Sequence, residues 1–158
     1  MCGIAGALSS GRPVAPQDRD LVRRMTAATR HRGPDSMNVL ADDKAALGCA
    51  RLRINDLSPA ADLPMASEDG DLWLSYNGAV TNFRELDRKF ALSAERPLRT
   101  SSDAEVILRL YARLGIGMLD ELSGQFAFCL YDRRLRRAFL VRDFFGIRPL
   151  FWAESGGR

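Results

Sequence analysis

Histidine is almost missing from this sequence. His31 is the one histidine in 158 residues, so any triad built on an imidazole has to use it. Cysteine is scarce as well. Cys2, Cys49 and Cys129 are odd in number, far apart, and never at ligand spacing with one another or with His31. That argues against a zinc site and against a disulfide framework. The start lacks the basic and long apolar regions of a secretory signal, so free thiols in a reducing cytoplasm are expected. No apolar run is long enough to span a bilayer, which excludes a membrane-crossing helix. Runs of one charge are absent too. The net charge is +3, and the densest cluster, Arg133-Arg134-Leu135-Arg136-Arg137, reads as a solvated hairpin tip and not as a nucleic-acid footprint. No internal repeat or low-complexity tract is visible. What is there is an ordinary globular balance, 46% hydrophobic and 27% charged, in a length that suits one domain with a core.

Chemistry has its first foothold in Met1-Cys2-Gly3-Ile4-Ala5-Gly6. Cysteine is small, so Met1 is expected to be trimmed after synthesis. Cys2 would then carry a thiol and a free α-amine, with reference pKa values of about 8.5 and about 8. An N-terminal amine can act as the base for a nucleophile on its own residue. The apolar, glycine-rich run behind Cys2 predicts a buried strand that holds the terminus still. On position alone chance outweighs chemistry, and the rest of the chain has to decide.

The pattern beyond alternates strands and helices. A helix is expected over 18–30, with Leu21, Val22, Met25 and Ala28 on one face. The breaker His31-Arg32-Gly33-Pro34-Asp35-Ser36 ends it. Strands are expected at 39–40 and 45–54 around the turn 42–44, then a loop over 55–65. The run 72–76 is strand-like and leads into Asn77-Gly78, before a helix over 82–90. Ser102-Asp103-Ala104-Glu105 is a capping-box sequence heading a helix that Gly115 ends. A helical turn follows over 118–122. The stretch 125–131 is apolar on both alternating faces, as a strand between layers would be. Residues 138–141 pair with it across the Arg-rich turn, and 149–153 predict one more strand. Residues 154–158 read as a hairpin turn without a returning strand, so a longer protein is expected to continue past Arg158. The hairpin signals point to an α+β fold with largely antiparallel sheets.

Three further features carry chemistry. Asn77-Gly78 most often means a tight hairpin turn. It can also mean an oxyanion hole, with one donor from the asparagine amide and one from a backbone N–H that glycine lets approach. In Ala50-Arg51-Leu52-Arg53-Ile54, alternation puts Arg51 and Arg53 on one face of a strand. That face is either solvated, or it offers an arginine fork for a carboxylate. Asp103 in a helix's first turn suits the macrodipole, and it could also bind an ammonium group. Arg51 and Asp103 together would fit a free α-amino acid. His31, flanked by Arg30 and Arg32, reads as a loop-positioning residue sooner than as a base for Cys2. Cys49 and Cys129 read as core.

Taken in order, these segments resemble the glutaminase domain of class II glutamine amidotransferases, which are N-terminal nucleophile hydrolases. The likeness is to the asparagine synthetase branch. It is carried by Met1-Cys2-Gly3-Ile4-Ala5-Gly6, by His31-Arg32-Gly33-Pro34-Asp35, and by Ala50-Arg51-Leu52 through Ile54. Asp56-Leu57-Ser58-Pro59-Ala60, Asn77-Gly78, Ser102-Asp103 with Glu105-Val106-Ile107, Phe126-Ala127-Phe128 and Arg142-Asp143 continue it. It covers nearly all of residues 1–158, read as one glutaminase domain. The resemblance implies a four-layer αββα sandwich, cut short at its C-terminus. It implies that Cys2 attacks the side-chain amide of L-glutamine, giving a thioester and ammonia, and that water releases glutamate. Asn77 and Gly78 would form the oxyanion hole. Arg51, Leu52, Arg53, Ile54, Asn55 and Ala79 would line the pocket with them, Arg51 on the substrate carboxylate and Asp103 on its amino group. No metal or cofactor is implied here. ATP and magnesium would serve a C-terminal synthetase domain, absent from this chain, in which ammonia amidates aspartate. A homodimer is compatible with the resemblance.

Two positions depart from the branch. It has Glu after Asn-Gly where this chain has Ala79, and Tyr where this chain has Thr81. Other class II branches carry a non-acidic residue and Thr-Asn there, like Thr81-Asn82. Two alternatives therefore stand beside a glutamine-hydrolysing asparagine synthetase type of enzyme. One is a non-hydrolysing structural domain of an amide-forming natural-product enzyme. The other is a different class II amidotransferase.

Overall fold

The computed structural model describes residues 1–9, 11–94 and 96–154. Its first sheet joins β1 (Gly3–Leu8), β2 (Ser36–Ala41) and β3 (Ala45–Arg51) in the antiparallel order β1-β3-β2. Its second joins β4 (Met65–Ala66), β5 (Leu72–Val80), β6 (Gly124–Asp132) and β7 (Arg137–Arg142) in the antiparallel order β4-β5-β6-β7. Helix α1 (Pro16–Ala28) lies on the outer face of the first sheet. Helices α2 (Phe83–Lys89) and α3 (Asp103–Leu114) cover the second. The result is a four-layer αββα sandwich.

Alternation along the strands decides what fills each interlayer. Ala46 of β3 packs with Val14 and Val22 on the α1 side, whereas Ala45 and Leu47 face the second sheet and pack with Trp73, Cys129 and Tyr131. Ser75 crosses the same gap, its hydroxyl donating to the Gly48 carbonyl at 2.8 Å. The other face of β5 and β6, with Leu74, Tyr76, Phe128 and Leu130, packs with Val106, Ile107 and Leu110 of α3. Two apolar faces on each central strand explain why the stretch 125–131 carries no polar alternation.

Four of the differences from the sequence expectations bear on the site and its surroundings. Helix α1 begins earlier than expected, because Pro16 can open a helix and the Asp18 carboxylate accepts from the Ala15 N–H at 3.0 Å. Strand β3 stops at Arg51 and not at residue 54. The Arg51 carbonyl is capped by the Asp35 N–H, and the Arg53 N–H turns to the Asp35 carboxylate. Asn77-Gly78 makes no turn; β5 runs straight through it to Val80, paired with β6. Residues 149–153 form no strand, and Phe151 and Trp152 are exposed. The turn expected over 154–158 lies, from residue 155 on, outside the described residues.

Candidate active site

One end of the space between the sheets gathers the chemistry. Strand β1 starts there, antiparallel β3 ends there, and the last third of β5 borders it. Gly3 pairs with Ala50 and Ile4 with Cys49, so Cys2 stands just outside the ladder on the Cys49 side. Its half-buried thiol is 4.0 Å from the Leu52 carbonyl. The segment His31 to Asp35 braces this end. Arg32 donates through Nε to the Cys2 carbonyl at 3.2 Å, and Gly33 lies so close to β3 that a Cβ there would sit 2.2 Å from the Ala50 carbonyl oxygen. His31 itself is exposed, with Nδ1 3.2 Å from the Ala28 carbonyl, and pairs with no thiol among the described residues.

The Cys2 thiol is lowered to about 6. A hydrogen bond from the Cys49 thiol is the main cause. Burial opposes it, and a backbone hydrogen bond at Leu52, the Met1 ammonium and the Arg51 guanidinium assist. Cys49 moves the opposite way and keeps its proton, through that same hydrogen bond and its burial. Cys129, buried elsewhere between the sheets, is pushed up to about 12 by desolvation alone. The thiolate character therefore falls on Cys2, the one cysteine of the three that is not fully buried.

Donors for an anion come from the open edge of β5. Phe126, opposite Gly78, spends both backbone groups on Asp143: its carbonyl accepts from the Asp143 N–H at 2.8 Å, and its N–H donates to the Asp143 carboxylate at 3.1 Å. In an antiparallel pair both groups of a residue point the same way. The Gly78 N–H is thus turned away from β6, toward a side where β4 reaches no further than Leu74. The Val80 N–H points the same way and is taken by the Asp103 carboxylate at 2.8 Å. Asn77 is buried on the face turned to the first sheet.

The two charged partners are held tightly. Arg51 is buried, and its Nη1 donates to Asp62 at 2.7 Å and to the Ser58 carbonyl at 3.2 Å. Its Nη2 donates to the Asp56 carbonyl at 2.5 Å. By donor count, the Nε–H and one Nη2–H are left, the parallel fork that suits a carboxylate. Asp103, buried at the head of α3, accepts from the Tyr76 hydroxyl at 2.5 Å. Ser102 caps that helix through the Ala104 N–H. Glu105 does not reach back to Ser102 as a capping box would, but accepts from the Arg99 and Thr100 N–H groups. Arg53 also pairs with Asp62, so both arginines meet there despite the end of the strand, and Ile54 and Asn55 lie exposed at the rim. Ala79 is half-buried opposite Gln125.

The site roles of Tyr76, Cys49, Arg32 and Asp62 escaped the sequence reading, which placed Cys49 in the core and quoted Arg32 without a role. Cys49 and Tyr76 are placed by strand pairing, Arg32 and Asp62 by contacts of the loops that carry them, and a single sequence displays neither. A groove of about 720 Å³ opens elsewhere, along the edge strands β1 and β7, with Leu8, Met25, Leu140 and Trp152 in its wall; it does not include Cys2. Among the described residues no group of three or more His, Cys, Asp or Glu side chains could hold a metal ion, and no helix is long and apolar enough to cross a membrane.

Comparison with known proteins places the chain in a family. The chain is 36% identical to an asparagine synthetase (glutamine-hydrolyzing) of Bacillus subtilis over 98% of its length, and 35% identical to asparagine synthetase B of Escherichia coli over 96%. It spans only 20% and 26% of those two proteins. Among solved structures, the fold matches the glutamine phosphoribosylpyrophosphate amidotransferase of B. subtilis with a TM-score of 0.62 at 20% identity, covering 84% of this chain and 35% of that one. The sequence matches the family model of the glutamine amidotransferase domain from residue 1 to residue 158, and the chain belongs to that family.

Proposed function

We propose that residues 1–158 form a glutaminase domain that takes ammonia from L-glutamine through Cys2. The observation that carries this reading is the lowered Cys2 thiol at the end of the sandwich where β5 turns an unpaired Gly78 N–H outward. With Met1 removed, the α-amine stands on the same residue as the thiolate. The thiolate attacks the glutamine side-chain carbonyl carbon. The developing oxyanion is met by the Gly78 N–H and the Asn77 amide. Collapse of the tetrahedral species expels ammonia, which leaves with a proton carried by the α-amine. Water then attacks the glutamyl thioester and regenerates the thiol. Arg51 offers its remaining fork to the substrate carboxylate, Asp103 takes the ammonium, and the segment Leu52 to Asn55 forms the rim.

The relatives' names and greater length support a second step in a longer protein, in which ammonia amidates aspartate at the expense of ATP and magnesium. The ATP and magnesium of that step belong to the longer protein in this reading. Three free thiols fit a cytoplasmic setting.

Cys2→Ala, and separately an N-terminal extension that leaves Cys2 with an amide in place of an amine, test the reading. Glutamate release from glutamine should fall to background in both. Hydrolysis by either variant would refute the α-amine mechanism. Ala79 keeps one other reading open, a non-hydrolysing domain, because it removes an acceptor for the substrate ammonium. Labelling of Cys2 by a diazoketone analogue of glutamine, with free glutamine protecting, excludes that reading; no labelling favours it.

A further inference from the structure

The reactive cysteine has a second cysteine for a neighbour. Cys2 follows the line of β1 one residue before the ladder begins at Gly3 and Ala50. Extending the register places it opposite Arg51, with Cys49 as its diagonal neighbour on the same face, a spacing that two short side chains span only if Cys2 moves closer. The two thiols act on each other, Cys2 being lowered and Cys49 raised through the same pair interaction. Cys49 is fully buried and has one other partner, the Tyr76 carbonyl at 3.8 Å. Cys2 is only half-buried. Lying outside the ladder, it can shift toward Cys49 without breaking a strand pairing, which closing the pair to disulfide geometry requires. Cys129 is fixed within β6, opposite Ser75, and buried away from the opening.

We propose that Cys2 and Cys49 form a reversible disulfide under peroxide, a redox latch on the nucleophile itself. In the first step the Cys2 thiolate attacks one oxygen of hydrogen peroxide. The O–O bond breaks, an S–O bond forms, hydroxide leaves, and the sulfur is oxidised by two electrons to the sulfenic acid. In the second step the Cys49 sulfur displaces that oxygen. The S–O bond breaks and the S–S bond forms, and the Cys49 proton leaves with the oxygen as water. An exogenous dithiol restores both thiols. The burial that makes Cys49 inert toward solvent oxidants leaves it available to its neighbour, so the latch closes before Cys2 reaches the irreversible sulfinic acid. Loss of activity on closing rests on Cys2 being the glutamine nucleophile. The linkage itself does not.

The test is peptide mapping without reductant after peroxide treatment of the intact protein, alongside glutamine hydrolysis before and after dithiothreitol. The wild type should yield a Cys2–Cys49 linked peptide, an unmodified Cys129, and activity that is lost and then returns. Cys49→Ser and Cys49→Ala should accumulate Cys2 sulfinic and sulfonic acid, with no recovery on reduction. A wild-type map with Cys2 overoxidised and Cys49 still a free thiol overturns the proposal. So does recovery of the Cys49 variants to the wild-type extent. The map is read on wild-type protein, so it stands even where a variant folds poorly. It also stands where glutamine proves not to be the substrate, which separates a failure of the latch from a failure of the proposed function.

Discussion

Tyr76 shows at the residue scale what a single sequence hides. It sits one place before Asn77-Gly78, and alternation turns it to the opposite face, toward α3. There its hydroxyl donates to Asp103 and accepts from the Val80 N–H at 3.0 Å. Burial first, and the Asp103 charge second, raise the phenol far above its ordinary value, so it stays a donor at any working pH. Asp103 was legible as a candidate, because a capped helix start is a local signal. Its dependence on Tyr76 was not, because the two are 27 positions apart in the chain. Arg51 was likewise legible by type but not by its partners at Asp56, Ser58 and Asp62. In the proposed glutamine site, with no acid at Ala79, the orientation of Asp103 would matter more for holding an ammonium group. Tyr76→Phe removes a hydrogen bond to a charged acceptor, worth about 1.5–3 kcal/mol. The KM for glutamine should rise by about tenfold or more, with kcat changed far less, since about 1.4 kcal/mol is tenfold in affinity. Steady-state glutamine hydrolysis measures the split. An unchanged KM would make Tyr76 a packing residue only.

At the scale of elements, β5 is where local signal and tertiary context disagree. Asn-Gly after a strand ordinarily turns the chain back. Here β6 pairs with β5 over its whole length, from Leu72 to Val80, and holds Asn77 and Gly78 extended. Long-range pairing overrides the turn preference. Glycine is still required, for a different reason. A Cβ at position 78 would lie 2.4 Å from the Gln125 carbonyl oxygen and 2.6 Å from the Phe126 Cα, both backbone atoms that cannot step aside. The close approach of β6 thus sets the residue type, and the Asp143 bonds to Phe126 set the direction of the N–H. Gly78→Ala should push β5 from β6, lower the melting temperature by several degrees, as about 1–3 kcal/mol of overpacking implies, and abolish glutamine hydrolysis. Thermal unfolding followed by circular dichroism checks the first effect. A variant with wild-type stability would show that β6 yields at this point. The expected strand over 149–153 shows the converse: extended propensity alone does not make a ladder.

At the scale of the whole molecule, the α+β class was legible from the order of hairpin and helix signals. The four layers came from the resemblance alone, because the stacking of two sheets leaves no mark in local pattern. What the layers share is a set of carboxylates that tie distant segments together. Asp56 accepts from the Ser58 and Ser101 N–H groups, joining the loop after β3 to the approach of α3. Asp62 binds Arg51 and Arg53, Glu105 binds Arg109 and the Arg99 and Thr100 N–H groups, and Asp143 gathers Phe126, Ile147 and Arg148. The Ser58 hydrogen bond leads in holding Asp56 well below the usual carboxylate range. Burial alone would raise Asp62, Glu105 and Asp143, but their hydrogen bonds outweigh it and all three are lowered. A carboxyl with a lower pKa folded than unfolded binds fewer protons in the native state. Stability from these groups is then fully present above the unfolded values, about 3.9 for Asp and about 4.3 for Glu, and is lost as pH falls through the folded ones. The melting temperature should therefore be flat from neutral pH to about 5 in respect of these groups, and should fall steeply below about 4. Asp56→Asn keeps the shape but removes one titrating link, so its acid limb should be shallower than the wild type's, whatever its stability at neutral pH. An equally steep limb in that variant would mean that Asp56 carries no linked proton, and that the acid sensitivity resides in the other lowered carboxylates.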